Sequence, residues 1–206
     1  MEILLTAFDP FGGANINPSW QAVSRVREDW DGAHLTRLLV PTVFGEAERL
    51  VLEKAEEISA DIILCVGQAG GRYGLSVERV AINLDDASIP DNRGNQPVDQ
   101  PISLKGAPAY FATIPVKPVV SAIQQAGVPA EISYTAGTFV CNHLLYRVLE
   151  DSALFHPGRQ CGFIHVPFLP EQIIHRSHTP SMSLETITAG QLLRYPPCRR
   201  NNRGWS

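Results

Sequence analysis

Cys141 ends a turn of small residues, Thr135-Ala136-Gly137-Thr138-Phe139-Val140, and opens a run in which Leu144, Leu145, Val148 and Leu149 recur at helical spacing. Arg147 and Glu150 fall on the other side of that helix. A cysteine in a first helical turn lies among backbone N–H groups without intrahelical acceptors, at the positive end of the helix dipole. This environment favours thiolate over thiol, as nucleophilic chemistry requires. The same N–H groups could stabilise an oxyanion on a carbonyl attacked by the sulfur. The stretch reads as the nucleophile turn of an enzyme.

Such a nucleophile needs a base, and the base needs a group to orient it. Of the six histidines, His143 lies two residues beyond Cys141, so on a helix it points away and core or surface duty is expected. His34 and His156 read as surface positions, and His175 and His178 lie in a polar stretch without carboxylates at metal-ligand spacing. His165 sits near the end of the apolar strand Gly162-Phe163-Ile164-His165-Val166, where α/β enzymes display catalytic groups. That position suits either a catalytic base or a hydrogen-bonded strand end. Glu78 is the best acidic partner, because a carboxylate within Val77-Glu78-Arg79-Val80-Ala81-Ile82 is costly unless paired. A salt bridge with an arginine on an exposed strand would account for it equally. Asp9, Asp85, Asp86 and Asp91 fall in loops and are expected to serve turns.

Other motifs are weaker. The loop Gln68-Ala69-Gly70-Gly71-Arg72-Tyr73-Gly74 is glycine-rich but fits neither a dinucleotide fingerprint nor a phosphate loop. G-x-S-x-G and H-E-x-x-H are absent, against a serine-elbow hydrolase or a zinc peptidase. Cys65 and Cys161 lie in apolar strands and read as inert core. Phe8, Phe11 and Phe139 suit either core or pocket walls.

Strands and helices alternate, so the expected fold is α/β: a three-layer α/β/α sandwich with a mixed, mostly parallel central sheet. Strands are expected at Ile3 to Phe8, His34 to Val40, Asp61 to Gly67, Ser76 to Leu84, Tyr110 to Ile114, Ala130 to Tyr134 and Gly162 to Pro167. Asn17-Pro18 gives an N-cap and first helical position, with Trp20, Val23 and Val26 as the buried stripe. Ala47, Leu50, Val51, Ala55 and Ile58 mark a second amphipathic helix, and another lies near Pro118 to Ala126. Asp85 to Pro108, rich in Asp, Asn, Gly and Pro, reads as a long loop, of a length usual for functional lids, interface elements or disordered segments.

The 206 residues suit one domain, here 1–195, followed by an atypical tail at 196–206. Pro196-Pro197 stops a helix over Ser181 to Arg194, and the arginine- and asparagine-rich remainder has little to bury, so flexibility is expected there. With 44% hydrophobic and 18% charged residues the composition is that of a globular protein. A net charge of -4 and no basic stripe argue against nucleic acid. No apolar run approaches a membrane span, and Met1 to Thr6 lacks a signal peptide's basic start. The four cysteines show no paired spacing, consistent with free thiols in a cytoplasmic protein.

Taken together, Phe8-Asp9-Pro10-Phe11-Gly12-Gly13, Gly67 to Arg72, Glu78 to Asn83, Thr135 to Tyr146 and Gly162 to Pro167 resemble the type I pyroglutamyl peptidase family, also called pyrrolidone carboxyl peptidases. The similarity runs from about Leu5 to Leu193. It implies a cytosolic cysteine peptidase, without cofactor or metal, that removes N-terminal 5-oxoproline from peptides and assembles as a homo-oligomer, tetramer or dimer. It implies Cys141 as nucleophile, His165 as base and Glu78 as the residue orienting the imidazole, with Phe8, Phe11, Gln68, Phe139 and Val140 around the pyroglutamyl ring. Ser88 replaces the arginine that usually precedes Ile-Pro-Asp-Asn in this family. Two competing readings are a phosphorylase-like enzyme using the glycine loop, and a catalytically silent binding protein on the same scaffold.

Overall fold

A strand that is apolar on both faces needs cover on both, and Ile3 to Phe8 is buried at every position. The computed structural model, which describes residues 1–26, 29, 30 and 32–191, makes this strand β1 (Glu2–Phe8), inside a seven-stranded sheet. There follow α1 (Pro18–Val23), β2 (Asp29–Trp30), β3 (Ala33–Val40), α2 (Glu46–Glu57), β4 (Ile62–Gln68), β5 (Leu75–Glu78), β6 (Val80–Ile82) and β7 (Ala109–Phe111). Then come α3 (Val116–Gln125), β8 (Ala130–Ser133), α4 (Val140–Phe155), β9 (Gln160–Val166), a 3-10 turn at Pro170–Gln172 and α5 (Leu184–Gln191).

The sheet order is β2-β3-β1-β4-β9-β5-β8. Strands β3, β1, β4 and β9 are mutually parallel, as are β5 and β8, whereas β5 runs antiparallel to β9 and β2 to β3. Strand alternation divides the core in two. Ile3, Leu5, Ala7, Leu64, Val66, Val77 and Ile164 pack with residues of α1, α3 and α5, while Leu4, Phe8, Ile63, Cys65, Cys161 and Phe163 pack with α2 and α4. The expected three-layer α/β/α sandwich is thus the architecture found. Helix α1 starts as its sequence requires: Pro18 is its first residue, and the Asn17 side chain accepts a hydrogen bond from Ser19 N at 3.0 Å.

Two expected strands are corrected. Ser76 to Leu84 is not one strand, because the chain changes partners at Arg79. Arg79 N donates to Ser133 O at 2.8 Å, whereas its carbonyl accepts from Ala112 N at 3.0 Å. Strand β6 therefore leaves the main sheet and pairs with β7 in a separate ribbon. Asn142, fully buried on α4, holds this ribbon: its side chain accepts from Ile82 N and donates to the carbonyls of Ile82 and Leu84. The strand expected to reach Ile114 ends at Phe111, since Thr113 N and Ile114 N turn to Cys161 O. The segment Asp85 to Pro108 is irregular as expected, apart from a bridge between Asp85 and Gln100. The helix end near Tyr195 and the 196–206 tail lie outside the described residues.

Candidate active site

Strand β9 carries alternate side chains to opposite faces, which puts Cys161, Phe163 and His165 on the face covered by α4. On the neighbouring strand Gly67 pairs with His165, and a Cβ on Gly67 would lie 2.9 Å from Cys141 Sγ and 2.7 Å from Phe163 Cζ. The missing side chain is the space in which the sulfur sits. On the other side of β9, Ser76 pairs with His165, so Glu78 is its diagonal neighbour on the same face. His165 Nδ1 lies 2.7 Å from Glu78 Oε1. Three residues from distant parts of the chain thus meet around one strand end.

Helix α4 presents Cys141 at its second position. Phe139, the N-cap, makes no side-chain capping bond, so the first N–H groups of the helix have no protein cap. The turn before it is fixed by Gly137, at φ 79°, and by Asp86 N donating to Thr138 O while Thr138 Oγ1 donates to Asp86 O.

Burial, opposed by the bond to Glu78, holds the His165 imidazole below its ordinary pKa, so the base is neutral near pH 7. Burial works against the Glu78 charge, but His165, Ser133 and Arg72 outweigh it and keep the carboxylate below its usual range. A charged Glu78 can only accept, which makes Nδ1 the protonated nitrogen and leaves Nε2 with a lone pair. The thiolate expected at Cys141 is corrected. Burial and the Glu78 carboxylate push its thiol above the ordinary value, with Arg72 pulling the other way, so the resting sulfur is protonated.

The other residues named from sequence are placed as follows. The rings of Phe11 and Phe139 are half-buried with centroids 6.0 Å apart. Phe8 is 2% exposed and packs on Phe163 below the site, and Val140 is fully buried. Alternation along β4 turns the Gln68 side chain to the face opposite Cys141, where its Oε1 accepts from Gln172 Nε2 at 2.9 Å. Ser88 is exposed on the loop after Asp85.

Sequence reasoning missed three features. Arg72 Nη1 lies 2.7 Å from the same Glu78 oxygen that meets His165. Phe44 stands edge-on to Phe139 at 5.3 Å and to His143 at 5.6 Å. His143 lies between Asp85 Oδ2 (2.7 Å) and Glu48 Oε1 (3.1 Å). Asp85 therefore serves an ion pair, not the turn expected of it. With a carboxylate at each ring nitrogen His143 is a cation, its pKa raised to about 9 by those bonds against the cost of burial. Of the three, only His143, a polar residue against the apolar run Leu144-Leu145, carried a signal in the sequence.

A possible cation cluster, Glu56, Asp151 and His156, lies at the C-terminal ends of α2 and α4, near the start of β9. The guanidinium of Arg159 already binds both carboxylates there. Cys65 and Cys161 are buried with their thiols pushed up to about 12, burial being the main cause, as inert core residues should be. No helix among the described residues is long and apolar enough to cross a membrane.

A thiol at a helix start, a neutral imidazole and a buried carboxylate are the groups a thiol hydrolase needs. The family profile described as pyroglutamyl peptidase matches residues 1–193, and the chain belongs to that family. A pyrrolidone-carboxylate peptidase of Thermoanaerobacter sp. is 53% identical over 184 residues, which is 89% of this chain and 91% of the relative. One from Staphylococcus haemolyticus is 53% identical over 191 residues, covering 92% and 90%. Among solved structures, pyroglutamyl peptidase I of Bacillus amyloliquefaciens superposes with a TM-score of 0.89 at 48% identity, over 93% of both chains. Pyrrolidone carboxyl peptidase of Pyrococcus furiosus gives 0.88 at 39% identity, over 93% and 94%.

Proposed function

We propose that this chain hydrolyses the amide bond after an N-terminal pyroglutamyl residue, through a thioacyl-enzyme intermediate. The carrying observation is the Glu78–His165 pair at 2.7 Å, set beside the strand position over which Cys141 Sγ lies. His165 Nε2 takes the thiol proton as sulfur attacks the pyroglutamyl carbonyl carbon. The oxyanion so formed faces the uncapped N–H groups of α4. The imidazolium, stabilised by Glu78, gives its proton to the departing amine as the C–N bond breaks. Water, deprotonated by Nε2, then attacks the thioacyl carbon, and the sulfur leaves as the thiol. Because the resting sulfur is protonated, proton transfer and attack belong to one step.

Pyroglutamate has no free α-amine, so its pocket needs apolar walls and amide partners in place of a carboxylate. Phe11 and Phe139 supply the walls, with Phe44 edge-on behind and Phe8 and Val140 as packed floor. Backbone groups at the end of β4 are better placed for the lactam than the Gln68 side chain, which is turned away. The reading extends to a cytoplasmic homo-oligomer, dimer or tetramer. Val80, Ile82, Ala109 and Phe111 share one face of the β6–β7 ribbon, and Phe111 is 70% exposed, as a self-association surface requires. The test is release of amine from a chromogenic pyroglutamyl amide, with prolyl and glutamyl amides as controls. Absence of turnover on all three would overturn the reading.

A further inference from the structure

Glu78 Oε1 receives two donors, His165 Nδ1 and Arg72 Nη1, each at 2.7 Å, while Oε2 is buried with no hydrogen-bond partner. Both close donors meet one oxygen, with Ser133 alongside on β8, and Arg72 is the one cation among them. Arg72 is itself anchored: its second terminal nitrogen donates to Thr135 O at 3.0 Å, on the turn that leads into Cys141. Glu78 is fully buried, so its charge acts on its neighbours without the screening of bulk water.

We propose that Arg72 is the positioning residue through which Glu78 acts, turning Oε1 toward His165 and counterbalancing the carboxylate charge. This rests on the catalytic roles proposed above. An unopposed Glu78 anion beside the imidazole would favour the imidazolium, and an imidazole already protonated cannot take a proton from the thiol. Arg72 repels that imidazolium, in line with its opposing action at His165, and it draws the Cys141 thiol down. The groups that face His165 are Glu78 from β5, Cys141 from α4 and Arg72 from the loop after β4. Glu131 of β8 lies behind Ser76, whose hydroxyl it accepts at 3.3 Å. Fixed by Thr135 O at one end and Glu78 at the other, Arg72 also ties the base's support to the nucleophile's turn.

The test is the acid limb of the kcat/KM profile on a chromogenic pyroglutamyl amide. Arg72→Met should move that limb to higher pH by about one unit, while Arg72→Lys, which keeps the charge, should leave it in place and lower kcat modestly. Should Arg72→Met fail to fold around an unpaired carboxylate, the comparison of Glu78→Gln with Glu78→Gln/Arg72→Met removes both charges and still reads the effect. There too the added Arg72→Met should raise the limb. A uniform loss of kcat with the limb unmoved in both backgrounds would make Arg72 merely structural and overturn the proposal. An inactive wild-type enzyme would instead refute the peptidase reading itself.

Discussion

Gly67 lies directly beneath the Cys141 sulfur: a Cβ at that position would approach Sγ to 2.9 Å and the Phe163 ring to 2.7 Å. Both neighbours are held by the sheet and by α4, so neither can withdraw cheaply. Gly67→Ala should lower kcat/KM by roughly 10²-fold through displacement of the sulfur, and stability by about 1–3 kcal/mol through overpacking. Amide turnover and the thermal midpoint check the two effects separately.

Cys141→Ser and His165→Ala should each reduce turnover by roughly 10⁴-fold or more with the fold retained. Glu78→Gln should lose less than the roughly 10⁴-fold that such an exchange costs when the amide turns its N–H toward the imidazole. The reason is geometric: both donors meet Oε1, which a glutamine keeps, and only the unpartnered Oε2 is exchanged. Circular dichroism with single-turnover kinetics distinguishes lost chemistry from lost structure. Full activity in Cys141→Ser would move the nucleophile elsewhere.

The thiol of Cys141 is held above its ordinary value, so alkylation by iodoacetamide should be slow at pH 7 and still rising beyond pH 9. A plateau below pH 7 would mean a preformed thiolate–imidazolium pair. Mass spectrometry of the alkylated peptide identifies the residue.

His143 bears on stability. Its folded pKa, about 9, exceeds the ordinary 6.5, so the folded state binds the proton more tightly. Its contribution is complete below about pH 6.5 and is lost as pH rises through about 9. On the order of 3 kcal/mol is at stake. Denaturant midpoints between pH 6 and 10 should fall along this curve, and His143→Gln should flatten it. A wild-type midpoint constant across that range would refute the cation.

Prolyl amides should be turned over at least 10³-fold more slowly than pyroglutamyl amides, because proline leaves the groups that pair the lactam unpaired. Comparable kcat/KM values would rule out this pocket.

Much of this was legible in the sequence because it is local. Asn17-Pro18 sets a helix start whatever surrounds it, and the apolar runs of β1, β4 and β9 demand burial on both faces. Cys141 stood out by its place at a helix start, and His165 and Glu78 as polar residues within apolar strand segments. What escaped is non-local. His143 meets partners 58 and 95 residues away, and no spacing foretells that. Arg79 looks like any strand residue, yet its N–H and its carbonyl serve different partners. Strand parity alone, counted from Gly67, would have turned the Gln68 side chain to the opposite face.

The antiparallel pairing of β5 with β9 has a consequence for folding. Only Ser76 and Val77 pair with β9 there, a short ladder, whereas β8 pairs with β5 from Leu75 to Glu78 on the other side. Slipped by one residue, β5 would exchange its faces and drive the Glu78 carboxylate among Ile123 and Val128, where Leu75 and Val77 belong. The side chains packed there are hydrocarbon, so the slipped strand carries its charge into them. The acid that steers the base therefore also polices the assembly of its own sheet, and an error in strand alignment is rejected by the same charge that serves the reaction.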